Sequence, residues 1–209
     1  MKISASFLGA KNIPKTLTDL NITDVDYIHV DVMDGKYVKN KTMSFKELAN
    51  ITYYTRKRLD VHLMVLNPLK LIDLYATLNV EYLTFHLDIK DDFAKIFARC
   101  HDYGIKIGLA LNPKQDVTML FPYLEKIDLV LLMSVEPGLP GQEFITDTIS
   151  KIKVLKEEIK KRNLHTLISI DGGINFENVK ELKDVDIVVS GTTITNSPNY
   201  QEAITKLRG

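Results

Sequence analysis

A chain of 209 residues with 45% hydrophobic content can bury one substantial core and is short for two domains of ordinary size, so residues 1–209 are expected to form a single domain. Lys+Arg and Asp+Glu are equal at 27 each, which leaves no basic field to recruit nucleic acid or an anionic membrane surface. The N-terminus carries only a broken apolar run and no stretch reaches the length of a membrane span; the expectation is a cytoplasmic protein with a small-molecule partner.

The first predicted strand, 3–8, passes through L-G-A-K-N-I-P-K into a predicted helix at 14–21. That turn lacks the G-x-G-x-x-G that cradles a dinucleotide pyrophosphate, which argues against a doubly wound open sheet. The second strand, 27–33, reads Y-I-H-V-D-V-M and places His29 and Asp31 two residues apart, on one face. In an apolar interior such a pair needs compensation, either from mutual hydrogen bonding or from a cation. A helix at 44–56 follows, and the third strand, 59–65, then adds a second inward histidine, His62. After a helix at 68–77 the fourth strand, 82–86, ends on His86, which reads as a satisfied core histidine. The next helix, 91–103, carries the lone Cys100, which has no second thiol for a disulfide or a zinc cluster. His101 and His165 sit in helical or loop surroundings and read as structural.

The fifth unit, strand 105–111 with a helix at 117–124, carries no chemical motif. The sixth pairs strand 129–134 with a helix at 145–161, whose K-V-L-K-E-E-I-K-K-R run is a solvated face with i,i+4 ion pairs. Strand 167–171 closes on Asp171 before a helix at 175–182, and strand 187–190 is followed by a helix at 197–207. Eight strand-helix units in this length predict an α/β fold, a single (β/α)8 TIM barrel, with its site in the loops after the strands. At that end His29, Asp31, His62 and Asp171 converge. Two imidazoles and two carboxylates suit Zn²⁺ and also accept Fe²⁺, Mn²⁺ or Co²⁺. Glycines cluster after three successive late strands: Gly138 and Gly141, Gly172 and Gly173, and Gly191 with Thr192. Each alone is a tight turn; together they offer bare backbone N–H groups to a phosphate, as late loops of such barrels do.

These motifs resemble those of the ribulose-phosphate 3-epimerase family in order along nearly the whole chain. The matching segments are I-S-A-S-F-L at 3–8, H-V-D-V-M-D-G at 29–35, D-V-H-L-M at 60–64, T-F-H-L at 84–87, L-V-L-L-M-S-V-E-P-G at 129–138, D-G-G-I at 171–174 and S-G-T-T-I at 190–194. The resemblance implies one catalytic divalent metal per chain on His29, Asp31, His62 and Asp171, with Asp31 and Asp171 as base and acid. It implies inversion of C3 between ribulose 5-phosphate and xylulose 5-phosphate through a metal-stabilised enediolate. It also implies substrate contacts from Ser6, His62, Met33, Met64, Met133, Gly138, Gly141, Gly172, Gly173, Gly191 and Thr192, and association into homo-oligomers. On sequence alone the three methionines are core packing.

The chain departs from the family pattern in three places. It reads S-A-S at 4–6 for A-P-S, D-G-K-Y-V-K-N at 34–40 for D-G-H-F-V-P-N, and P-G-L-P-G-Q at 137–142 for P-G-F-G-G-Q. Pro140 has no N–H to offer a ligand. Lys36 and Lys39 alter a loop expected to cover the pocket. Three alternatives follow: a six-carbon ketose phosphate such as allulose 6-phosphate as substrate, a phosphosugar decarboxylase, or a catalytically silent sugar-phosphate sensor. No Lys shares the strand face of Asp31, against the decarboxylase. Four inward polar groups are costly without a ligand, against the sensor.

Overall fold

A computed structural model describes residues 1–209. Eight parallel strands close into a barrel in sequential order, β1 (Lys2–Ser6), β2 (Tyr27–Met33), β3 (Arg58–Met64), β4 (Val80–His86), β5 (Lys106–Leu111), β6 (Leu129–Met133), β7 (Leu167–Asp171) and β8 (Ile187–Ser190). Closure is made by β1 against β8, with Lys2 opposite Ile187 and Ala5 opposite Ser190. These strands are runs of Val, Ile and Leu because both of their faces are covered, one by the barrel interior and one by the helices.

Buried apolar side chains form two clusters, of 46 and 9 residues, and their sizes place the main core outside the barrel, between sheet and helices. Alternation assigns the faces. Ile28, Val30 and Val32 of β2 pack outward into the larger cluster, which turns His29, Asp31 and Met33 inward. The N-terminal face of the interior carries Tyr27 and Tyr82 edge to face at 5.6 Å, beneath which Glu81 bridges Arg58 and Lys106. No helix is long and apolar enough to cross a membrane.

Helices α1 (Ile13–Asn21), α2 (Phe45–Ile51), α3 (Ile72–Tyr75), α4 (Phe93–Asp102), α5 (Thr148–Lys161), α6 (Thr192–Thr195) and α7 (Tyr200–Arg208) form the outer layer. Their starts are written in the sequence: Asn12, Asp92 and Asn199 accept N-cap hydrogen bonds, and Ser44 with Glu47 makes a reciprocal capping box.

The expectation of one helix per strand fails in two places. The 117–124 segment is a pair of 3-10 turns, Val117–Leu120 and Leu124–Lys126, because Pro122 has no N–H for a helical ladder. The 175–182 segment keeps one 3-10 turn, Asn178–Glu181, because Asn175 and Asn178 exchange side-chain hydrogen bonds with each other's backbone N–H. Elsewhere the expected helices shorten. The 44–56 helix stops at Ile51, where the Thr52 hydroxyl donates to the Ala49 carbonyl. The 68–77 segment splits into a 3-10 turn, Pro68–Lys70, and the single turn of α3. The 145–161 helix starts at Thr148, since Ile145 N–H is held by the Ser134 carbonyl.

Candidate active site

Strand register assembles the site. β2 and β3 pair with Asp31 opposite His62 and Met33 opposite Met64, and β6 and β7 pair with Met133 opposite Asp171. Four strand ends therefore carry their polar or methionine side chains to one level, at the C-terminal mouth. A pocket at that mouth is lined by Ser6, Asp31, Met33, Met64, Met133 and Asp171, and by the glycine corners Gly138, Gly141, Gly172, Gly173 and Gly191 with Thr192. His29 and His62 lie deeper, 1% and 0% exposed, beneath its floor. The residues expected to hold the metal, to act as acid and base and to contact the substrate thus gather at one end of the barrel.

The four inward groups are close. His29 Nε2 stands 3.4 Å from Asp31 Oδ1 and 3.7 Å from Asp171 Oδ2, and His62 Nδ1 stands 3.3 Å and 3.8 Å from the same two atoms. One donor atom from each residue falls within a 4.8 Å cluster. Both of these ring nitrogens are buried with no hydrogen-bond partner, an expensive arrangement for two polar atoms unless a cation shares them. Tetrahedral bonds of about 2.0–2.2 Å from nitrogen and carboxylate donors give ligand spacings of about this size. The donor set fits a divalent metal.

Two further buried residues complete the arrangement, and the sequence reading did not single them out as functional. Asp60 accepts hydrogen bonds from Ser4 Oγ at 2.8 Å and from His29 Nδ1 at 2.8 Å, so the far side of that imidazole is fixed by a carboxylate. His86, expected to be a plain core histidine, lies with its Nε2 2.8 Å from His62 Nε2. Asp60 carried a readable signal, standing two residues before His62 on the same strand face. His86 carried less, since its contact depends on how β4 docks beside β3.

Electrostatics separate the two aspartates. For Asp31, burial opposes ionisation, but His29 and then His62 overcome it and hold the carboxyl well below the usual carboxylate range. Asp171 is pushed up to about 6 by burial, the histidines opposing and the Asp31 charge adding to the rise. Burial also works against a charge on His29, yet Asp31 and Asp60 raise its pKa well above the ordinary histidine value. A metal must displace these protons to bind. Asp171 holds its proton below about pH 6 and His29 holds its own to higher pH, so metal affinity is expected to rise with pH through about 6 and to go on rising above it. Co²⁺ titrations at a series of pH values check this; affinity independent of pH across that range would contradict it.

The departed loops are latched together. Asn40 Nδ2 donates to the Gly138 carbonyl at 2.8 Å, and a side chain at Gly138 would meet Val38 at 2.9 Å. Ser6 Oγ donates to Asp31 Oδ2 at 3.2 Å, tying β1 to the carboxylate cluster.

The family model for the ribulose-phosphate 3 epimerase family matches residues 2–195. The chain belongs to that family. It is 38% identical to the ribulose-phosphate 3-epimerase of Buchnera aphidicola subsp. Baizongia pistaciae, over 99% of this chain and 93% of that protein. It is also 38% identical to the ribulose-phosphate 3-epimerase of Helicobacter pylori strain J99, over 100% and 97%. Among solved structures, 3-hexulose-6-phosphate synthase from Salmonella typhimurium superposes with a TM-score of 0.67 at 18% identity, covering 99% of this chain and 96% of that one. That likeness is one of fold. The family is one of isomerases acting on carbohydrates, and epimerase activity follows from membership.

Proposed function

We propose that this enzyme inverts C3 of a ketose phosphate, interconverting D-ribulose 5-phosphate and D-xylulose 5-phosphate. The observation that carries the reading is the pair Asp31 and Asp171, close together at the pocket floor with environments that push their proton affinities apart. Such a pair supplies one base and one acid. Asp31, ionised, takes the C3 proton of ribulose 5-phosphate, and Asp171 returns a proton to the opposite face; in the reverse direction the roles exchange.

His29, Asp31, His62 and Asp171 would hold one divalent ion, most simply Zn²⁺, with Fe²⁺, Mn²⁺ or Co²⁺ also suited to the donor set. Bound there, it would supply positive charge against the negative charge that develops on the substrate oxygens. Met33, Met64 and Met133 keep water from the reacting carbon, which strengthens every charge interaction inside. The glycine corners and Thr192 take the phosphate, and Ser6 orients Asp31. Residues 1–209 act as one barrel domain; a cytoplasmic location and homo-oligomeric association belong to the same proposal.

Proton NMR of metal-reconstituted protein with ribulose 5-phosphate in D₂O tests this directly. Xylulose 5-phosphate should appear, with deuterium at C3. Turnover of allulose 6-phosphate without ribulose 5-phosphate would move the substrate to six carbons and locate the cause in the 34–40 and 137–142 loops. No reaction with any of the four metals would overturn the catalytic reading in favour of a sugar-phosphate sensor.

A further inference from the structure

Each of the two candidate metal histidines is anchored through the ring nitrogen that faces away from Asp31 and Asp171. For His29 the anchor is one step long, Nδ1 to Asp60. For His62 it runs outward through several side chains, and its direction is set at the far end.

His62 Nε2 and His86 Nε2 are 2.8 Å apart, and between two neutral imidazoles only one can donate. Further out stands Asp88, exposed, whose ionised carboxylate only accepts. Tyr37 Oη donates to Asp88 Oδ1 at 2.9 Å, and its ring packs on His86 with centroids 4.6 Å apart. Asn112 Nδ2 uses its two hydrogens on Asp88 Oδ2 at 2.9 Å and on Tyr37 Oη at 2.8 Å. That orientation leaves Asn112 Oδ1 buried and otherwise unpartnered beside His86 Nδ1, which is equally buried and unpartnered. A proton on His86 Nδ1, turned toward Asn112 Oδ1, would give each of these two unpartnered atoms a partner. His86 Nε2 is then the acceptor, His62 Nε2 the donor, and the lone pair of His62 is on Nδ1, the nitrogen turned toward Asp31 and Asp171.

We propose that His86, Asn112 and Asp88 are positioning residues that fix the Nε2–H tautomer of His62 and so aim its Nδ1 lone pair at the metal position. The inference rests on the metal reading above. Outer partners of this kind fix the tautomer and orientation of metal-bound histidines in general. Here the series of partners ends on an exposed carboxylate after β4, which is not among the residues lining the site pocket.

Two measurements on the full chain test it. In metal-free protein labelled with ¹⁵N-histidine, the two-bond ¹H–¹⁵N spectrum should report His62, assigned by its absence in His62→Asn, as the Nε2–H tautomer. In Co²⁺ titrations against a competing chelator, His86→Leu should bind 10–100-fold more weakly than wild type, the range usual for loss of such a partner. His86→Gln, whose amide oxygen can accept the His62 Nε2 proton, should recover most of that loss. Asp88→Asn, a surface change that removes the acceptor-only end, should weaken binding in the same direction. An Nδ1–H tautomer at His62 in the wild type would overturn the proposal, as would His86→Leu and Asp88→Asn both binding Co²⁺ like the wild type. If the wild type binds neither Co²⁺ nor Zn²⁺, the metal reading itself falls and takes this one with it; weakening confined to the variants separates the two.

Discussion

Asp31→Asn is expected to lower turnover of ribulose 5-phosphate by roughly 10²–10⁴-fold, the usual contribution of a positioned general base, while the barrel still folds. Asn keeps the shape of Asp and one of its oxygens, so it can still receive the Ser6 hydroxyl now held at 3.2 Å. What it removes is the capacity to take a proton. Asp171→Asn should be as damaging to net epimerisation, for the opposite reason: the proton is taken but not returned to the other face. The two variants then differ in D₂O. Asp171→Asn should still wash deuterium into C3 of unreacted ribulose 5-phosphate, and Asp31→Asn should not. Metal content measured on both separates loss of the base from loss of a ligand. Equal wash-in by the two variants, or wild-type turnover in Asp31→Asn, would sink the assignment of roles.

The legibility of these residues in the sequence follows from how local each signal is. His29 and Asp31 lie two apart on one strand, and period-two alternation alone turns them the same way. Asp171 ends an apolar run before two glycines, so its place at a strand terminus is local too. The convergence of β2, β3 and β7 on one mouth needed only the barrel hypothesis, because all parallel strands bring their C-terminal ends to one face.

His86 is different. Its meeting with His62 is set by the β3–β4 register, where Asp60 pairs with Tyr82 after a shift at Leu59, and by the packing of Tyr37 from a distant loop. Nothing within β4 encodes either. The helices failed for a related reason. The 3.6-residue pattern of 117–124 reports which side chains are buried, and a pair of 3-10 turns buries Val117, Leu120 and Leu124 as well as a helix would; Pro122 was the overlooked signal. At 175–182 the two asparagines offer the backbone a tighter alternative than the ladder.

The glycine corners permit a test in which the fold supplies its own control. Gly173 and Gly104 have nearly the same backbone conformation, φ of 64° and 66°, in the left-handed region that disfavours a side chain. Around Gly104, just after α4, an added Cβ would meet nothing within 4 Å. At Gly173 it would meet Phe144 N at 2.6 Å and Gln142 O at 2.8 Å, both backbone atoms of the loop after β6. Gly104→Ala should therefore lose about 1–2 kcal/mol, the conformational cost alone. Gly173→Ala should lose that amount and about 1–3 kcal/mol more, as for overpacking that forces backbone to move. Because Gly141, Gln142, Gly172 and Gly173 line the pocket together, the displacement reaches the mouth of the site. The expected result is a large fall in kcat/KM for Gly173→Ala and wild-type kinetics for Gly104→Ala, with urea unfolding giving the stability difference. Equal destabilisation of the two variants would mean that the β6 loop yields freely, and the latch between Asn40 and Gly138 would then not hold it in place.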